Sequence, residues 1–159
     1  MQKDSELLYT EWSITFAEIP EETTLCVTIP NCPHRCKGCH SPYLQTNSGN
    51  PFKEIIDVIK DYKDTITCVC FMGGDANHAD IAFWSLYING LFPDLKIAMY
   101  SGDDELDEDL VGVLDYYKIG SWQEEKGPLN NPSTNQILYK KNENNELENI
   151  TYKFWRKRK

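Results

Sequence analysis

Residues 25–39 read LCVTIPNCPHRCKGC, a β-prone run that leads directly into a loop with three cysteines. Leu25 to Ile29 is rich in aliphatic and β-branched side chains, which favour a strand. The loop cysteines, Cys32, Cys36 and Cys39, have the spacing C-x3-C-x2-C. Prolines and glycine around them give a turn-rich loop in which three thiolates can converge. The segment therefore predicts a strand followed by a metal-binding loop.

The number of cysteines in this loop bears on the kind of metal centre. Four-iron iron–sulfur clusters are usually held by four cysteines, so three would leave one iron open to a small molecule. A zinc site is the alternative, because His34 or His40 could complete a Cys3His tetrahedron. Three ordinary thiols are the third possibility. The loop by itself leaves all three interpretations open.

Length and charge restrict the class of protein. At 159 residues, the chain is expected to form a single domain over residues 1–159. The net charge of −9 argues against nucleic-acid binding, which needs a basic surface. Residues 152–159 are the exception, a tail with five basic residues. We expect a solvated terminus there, with contact to RNA or an acidic partner as the alternative.

No targeting or membrane segment is evident. Residues 1–6 are polar, and the longest apolar stretch, residues 81–92, is too short to cross a bilayer about 30 Å thick. The sequence therefore predicts a cytoplasmic protein without membrane contact. Disulfides are rare in that compartment. The remaining cysteines, Cys26, Cys68 and Cys70, are predicted to be small buried side chains of strands.

The middle of the chain alternates between strand and helix patterns. Strands are predicted at residues 25–29, 65–71, 95–100 and 116–120, and helices at residues 51–61, 78–91 and 105–114. Asn50 is predicted as the N-cap of the first helix, with Pro51 at its first position. This alternation indicates an α/β fold with a mostly parallel sheet. Residues 136–141 and 147–155 are predicted to form a C-terminal hairpin with a turn at Asn144 and Asn145.

Ligands of α/β sheets bind at the carboxyl ends of the parallel strands. The cysteine loop follows the first of these strands, Gly73-Gly74-Asp75 the second and Ser101-Gly102 the third. Adjacent glycines allow positive φ and a close approach of backbone to ligand. We expect these three segments to converge on one site. The acidic run at residues 103–109 is predicted to be an exposed helix start, and His78 is expected to cap or pack on the second helix.

The cysteine spacing together with Gly73-Gly74-Asp75 resembles the radical S-adenosylmethionine (SAM) enzymes. The resemblance implies a small, open, incomplete (β/α) barrel in which Cys32, Cys36 and Cys39 hold a [4Fe–4S] cluster. It also implies that SAM chelates the open iron and contacts Gly38, Cys39, His40, Gly73, Gly74, Asp75 and Ser101. Asp75 stands where most of the superfamily has Glu. Gly38 stands where many members have an aromatic residue, so adenine contacts would come from the Gly38 backbone or from His40.

A narrower resemblance covers roughly residues 10–140. The segments 31–40, 47–52, 101–106, 117–120 and 127–136 are similar to the activating proteins of anaerobic (class III) ribonucleoside-triphosphate reductase. Gly-Gly-Asp is usual in that group. Ala76 and Asn77 depart from its usual Pro-Leu, which could reshape the loop beside SAM without removing a ligand.

This resemblance implies an activity, a substrate and partners. Flavodoxin or ferredoxin would reduce the cluster, SAM would be cleaved to methionine and a 5′-deoxyadenosyl radical, and that radical would take hydrogen from a glycine of the reductase. Three alternatives remain. They are an activase for another glycyl-radical enzyme such as a formate lyase, a radical SAM enzyme with a small-molecule substrate, and a zinc-binding interaction module.

Overall fold

The computed structural model describes residues 7–30 and 49–155. The helices are α1 (Glu54–Tyr62), α2 (His78–Leu91) and α3 (Glu108–Val111), and a short 3-10 helix covers Thr151–Phe154. The strands are β1 (Leu8–Tyr9), β2 (Glu11–Thr15), β3 (Thr24–Thr28), β4 (Asn50–Pro51), β5 (Cys68–Met72), β6 (Lys96–Tyr100), β7 (Tyr116–Ile119), β8 (Ile137–Lys141) and β9 (Leu147–Asn149).

Seven of the described strands form one open mixed sheet in the order β2-β3-β5-β6-β7-β8-β9. The four central strands, β3, β5, β6 and β7, are parallel to one another. The pairings of β2 with β3, β7 with β8, and β8 with β9 are antiparallel. β1 and β4 form a separate antiparallel pair. The parallel centre of the sheet therefore consists of the strands that alternate with helices along the chain.

The helices cover one face of the sheet. Side chains of β3, β5 and β6 on that face, such as Val27, Phe71 and Met99, share a core with buried residues of all three helices. On the opposite face, Cys70 and Ala98 pack with residues of connecting segments and the C-terminal hairpin instead. Because side chains alternate along a strand, each strand contributes to both cores. The parallel strands follow chain order without a reversal, so each crossover adds the next strand on the same side.

The prediction for the three cysteines outside the loop is confirmed. Cys26, Cys68 and Cys70 are free and buried, and they lie together in the core on the face away from the helices. Burial raises the pKa of the Cys68 and Cys70 thiols well above the usual range. These thiols therefore remain protonated and act as small apolar side chains.

The predicted start of the first helix is wrong. Asn50 and Pro51 form β4 and pair with Tyr9 and Leu8. The N-cap of α1 is Lys53, which makes no side-chain cap hydrogen bond. Strand pairing with the N-terminal segment replaces the predicted helix start, because β1 supplies hydrogen-bonding partners for the backbone of Asn50 and Pro51. The rest of α1 agrees with the predicted periodicity, since Ile55, Ile56 and Ile59 form its buried side.

Two other elements are shorter than predicted. α3 begins at Glu108 rather than at residue 105, because the Asp107 side chain accepts a hydrogen bond from the Asp109 N–H and caps the helix, and it ends at Val111. The second hairpin strand stops at Asn149, whose side chain accepts a hydrogen bond from the Thr151 N–H and turns the chain into the 3-10 helix. The hairpin itself is confirmed, with Asn145 in the left-handed region at φ 61°. α2 has the predicted bounds.

Candidate functional site

The predicted metal ligands lie outside the described residues. Cys32, Cys36 and Cys39, together with Gly38, His34 and His40, fall in residues 31–48 and stay predictions. The described chain on either side nevertheless shows where this loop leaves the sheet. The Ile29 N–H donates to the Met72 carbonyl at 3.0 Å, so the chain leaves β3 beside the carboxyl end of β5.

The chain returns from this loop at the same edge of the sheet. β4 pairs with β1, and the Phe52 N–H donates to the Leu7 carbonyl at 2.8 Å. The N–H of Thr10, the residue after β1, donates to the carbonyl of Thr28 at the end of β3, at 3.0 Å. The N-terminal segment therefore anchors the end of the cysteine loop close to where the loop begins.

Gly73 and Gly74 form a turn that other residues would adopt only with strain. Both have φ of 110°, in the region that favours glycine. A Cβ on Gly73 would lie 2.9 Å from the Ile29 carbonyl oxygen, and one on Gly74 would lie 2.7 Å from Cδ1 of Ile81. The predicted positive φ is confirmed. The turn fits closely between the start of the cysteine loop and α2.

We expect Gly73→Ala to lower the free energy of unfolding by about 2 to 4 kcal/mol, from the strained φ and the contact with backbone at Ile29. Gly90→Ala is the matched control, because a Cβ there meets nothing within 4 Å. Replacing this helical glycine by alanine should raise the free energy of unfolding by roughly 0.5 to 1 kcal/mol. Urea unfolding measures both changes, and a Gly73→Ala variant as stable as wild type would contradict the close fit.

Asp75 joins the turn after β5 to the turn after β6. Its side chain is only 3% exposed. The carboxylate accepts hydrogen bonds from the Ser101 hydroxyl at 2.6 Å and from the Gly102 N–H at 2.8 Å. The Ser101 hydroxyl in turn accepts from the Asp103 N–H at 2.9 Å. The convergence of Gly73-Gly74-Asp75 with Ser101-Gly102 is therefore confirmed. Whether these residues contact a cofactor stays a prediction.

Lys118 is a functional candidate that the sequence analysis missed. It is buried, and its ammonium donates to the carbonyls of Ser101 at 2.9 Å and Gly120 at 3.0 Å. Its Nζ also lies 5.8 Å from the centre of the Tyr100 ring. The sequence did carry a signal, because Lys118 is the one charged residue in the otherwise apolar strand β7. Lys118 fixes the backbone of the Ser101 turn from the other side.

A row of four residues crosses the sheet next to this site. Thr28, Met72, Tyr100 and Lys118 are aligned on neighbouring parallel strands. Met72 and Tyr100 pack on the core away from the helices, so the row lies on that face. It is the last layer of side chains before the strands end. Any group bound at the carboxyl edge would rest on this layer.

His78 contacts carboxylates of three segments. Its Nδ1 lies 2.7 Å from Asp107, and its Nε2 lies 3.4 Å from both Asp75 and Asp103. Burial lowers the pKa of His78, but the hydrogen bonds with Asp107 and Asp75 outweigh this effect, and the pKa is raised overall. The acidic run does contain a helix start, but α3 begins at Glu108 with Asp107 as its cap, later than the predicted residue 105. The same acidic run also lines an open cavity of about 320 Å³ beside His78.

The basic tail is only partly described. Lys153 pairs with Glu21 at 3.0 Å on the surface, and residues 156–159 lie outside the described residues. Among the helices of residues 7–30 and 49–155, none is long and apolar enough to cross a membrane.

Comparison with known proteins gives one match. No curated protein and no solved structure matches this chain. A family model, the 4Fe-4S single cluster domain, matches residues 22–146, which is more than half of the chain and includes the three-cysteine loop. The chain therefore belongs to the 4Fe-4S single cluster domain family of iron–sulfur proteins.

Proposed function

We propose that this protein is a radical SAM activase, which cleaves SAM reductively at a [4Fe–4S] cluster and generates the glycyl radical on anaerobic ribonucleoside-triphosphate reductase. One observation carries the proposal. The Gly73-Gly74 turn is held by Asp75 against Ser101 at the sheet edge where the cysteine loop leaves and returns. Membership of the iron–sulfur family supports the cluster part of the proposal.

The donor set fits a cluster with one open iron. Cys32, Cys36 and Cys39 supply three thiolates, and four-iron clusters take four ligands from their surroundings. The fourth position would then be available to the amino and carboxylate groups of SAM. When bound, the cluster supplies the electron that cleaves SAM, while the protein supplies positioning and exclusion of water.

The Gly73-Gly74 turn offers a backbone acceptor for the amino group of SAM. The Gly73 N–H donates to the Tyr100 carbonyl at 3.0 Å, and the Gly74 carbonyl accepts from the Asn77 N–H at 2.8 Å. The other two groups, the Gly73 carbonyl and the Gly74 N–H, belong to one trans peptide and point in opposite directions, so only one of them can face SAM. We assign the Gly73 carbonyl to the SAM amino group, whose N–H groups can donate to it while its nitrogen binds the open iron.

Asp75 and Ser101 support this turn from behind. The Asp75 carboxylate is buried and already accepts two strong hydrogen bonds, so it orients the turn and adds negative charge close to the SAM amino group. The Ser101 hydroxyl donates a hydrogen bond to Asp75 and accepts one from the Asp103 N–H, which leaves one lone pair of its oxygen as a further acceptor. Lys118 fixes the carbonyl of Ser101. Gly38, Cys39 and His40 complete the proposed SAM site from the cysteine loop.

The sheet suits the partial barrel that the proposal requires. Its parallel strands follow chain order, and the described helices lie on one face, as in (β/α) barrels. The face away from the helices would be the inside of the barrel. An open barrel leaves room for a glycine-bearing loop of a protein substrate to reach SAM.

The test is product analysis under anaerobic conditions. The reconstituted protein, reduced with flavodoxin or dithionite, is mixed with SAM and either the ribonucleotide reductase or a formate lyase. We expect methionine, 5′-deoxyadenosine and a glycyl-radical EPR signal on the reductase alone. A radical on the formate lyase alone would assign another partner. A turned-over small molecule without a protein radical would contradict the activase proposal.

A further inference from the structure

His78 stands at the meeting point of the three segments that follow β5 and β6. Asp75 belongs to the turn after β5, Asp103 to the segment after β6, and Asp107 to the cap of α3. The ring itself is at the first residue of α2. One side chain thus contacts carboxylates of the turn after β5, the segment after β6 and the cap of α3.

The contacts require a particular protonation state. Ionised carboxylates only accept hydrogen bonds, and both ring nitrogens of His78 face carboxylate oxygens. A neutral imidazole has one N–H and one lone pair, so it could satisfy only one side. The imidazolium donates on both sides and also offsets the charge of three neighbouring carboxylates.

We infer that His78 is a positioning residue whose imidazolium holds the SAM-binding turn at Asp75 against the segment from Asp103 to Asp107. The inference rests on the proposed function for its ligand, and it goes further in naming what orders the site. Asp75 is the link, because the same carboxylate touches His78, Ser101 and Gly102. Loss of the positive charge on His78 would leave Asp75, Asp103 and Asp107 to repel one another.

The direction of the pH effect follows from the charges that face the ring. Asp75, Asp103 and Asp107 contact it, Asp104 and Glu105 line the same cavity, and the Tyr117 hydroxyl accepts from the Asp107 N–H. Burial raises the pKa of Tyr117 to about 12, so it stays neutral. The pKa of His78 is raised in the folded protein, so its stabilisation is complete below the ordinary value of 6.5. That stabilisation is lost as the pH rises through the raised pKa.

The test measures SAM binding rather than turnover. Equilibrium dialysis compares the SAM affinity of cluster-loaded wild type and His78→Gln at about pH 6 and about pH 9, so that titration of the SAM amino group affects both proteins alike. We expect wild type to bind SAM roughly tenfold more tightly than His78→Gln at the lower pH and equally well at the higher pH, because glutamine carries no charge. His78→Lys should remain charged and bind SAM more tightly than His78→Gln at both pH values. Cluster absorbance at each pH checks that the metal site is intact.

NMR titration of the histidine ring separates failure of the inference from failure of the proposed function. We expect the His78 signal, identified by its absence in His78→Gln, to titrate above the ordinary value and to move down in Asp107→Asn. An ordinary or lowered pKa, or wild-type SAM affinity and pH profile in His78→Gln, would overturn the inference. Absence of SAM binding by wild type at both pH values would overturn the proposed function and the SAM role of His78. The titration would then still decide whether the imidazolium joins these segments.

Discussion

Cys36→Ala is expected to abolish SAM cleavage and to remove the cluster absorbance. The loop offers three thiolates, and a cluster that keeps one iron open for SAM cannot lose another ligand and retain its function. The same result is expected for Cys32→Ala and Cys39→Ala. The measurement is 5′-deoxyadenosine formed per protein after anaerobic reconstitution, with iron and sulfide contents determined in parallel.

Cys68→Ala is the matched control for this prediction. Cys68 is fully buried in the core on the face away from the helices, where burial keeps its thiol protonated. Its replacement should cost about 1 to 2 kcal/mol of stability and leave SAM cleavage in place. Wild-type SAM cleavage by the Cys36→Ala variant would contradict the assignment of the loop cysteines as cluster ligands. Loss of the cluster in Cys68→Ala would contradict the assignment of Cys68 as a buried packing residue.

Asp75→Ala is expected to weaken SAM binding about 100-fold, or about 3 kcal/mol, and to leave the cluster absorbance intact. Alanine leaves the Ser101 hydroxyl and the Gly102 N–H without their acceptor in a buried place, which costs roughly 1 to 3 kcal/mol for each group. The turn at Gly73 and Gly74 then loses its support. Isothermal titration calorimetry measures the SAM affinity, and the absorbance of the cluster shows separately whether the metal site is intact.

Two controls limit the interpretation of Asp75→Ala. Asp75→Asn keeps the shape and one acceptor oxygen, so its SAM affinity should lie between those of wild type and Asp75→Ala. Asp94→Ala removes an exposed carboxylate beyond the end of α2 and should change neither property. Loss of the cluster in Asp75→Ala would show that Asp75 serves the fold of the cysteine loop rather than SAM.

The elements predicted from local pattern were those with continuous apolar runs or clear helical spacing. The parallel strands β3, β5, β6 and β7 were placed within a few residues because they are apolar and β-branched runs, and the spaced isoleucines of α1 marked its buried side. The convergence of Gly73-Gly74-Asp75 with Ser101 followed from one rule, that parallel strands end at the same edge. That rule needs only strand order, which chain order supplied here.

The features that escaped prediction depend on partners distant in sequence. Asn50 and Pro51 have a good helix-start signal, yet they pair with Tyr9 and Leu8, about 40 residues away. Lys118 and His78 gained their roles from carbonyls and carboxylates that only the folded chain brings near. Such contacts leave no local periodicity in the sequence. Sequence patterns therefore placed these residues on the correct strand or helix but did not predict their contact partners.

The low-temperature EPR spectrum of the anaerobically reconstituted and reduced protein, recorded with and without SAM, tests the proposed site most directly. We expect a brown protein with a reduced four-iron cluster signal that shifts when SAM is added, because SAM would occupy the open iron. A reduced-cluster signal that is unchanged by SAM would contradict the SAM site at Gly73, Gly74 and Asp75. A colourless protein with about one zinc would contradict the cluster as well.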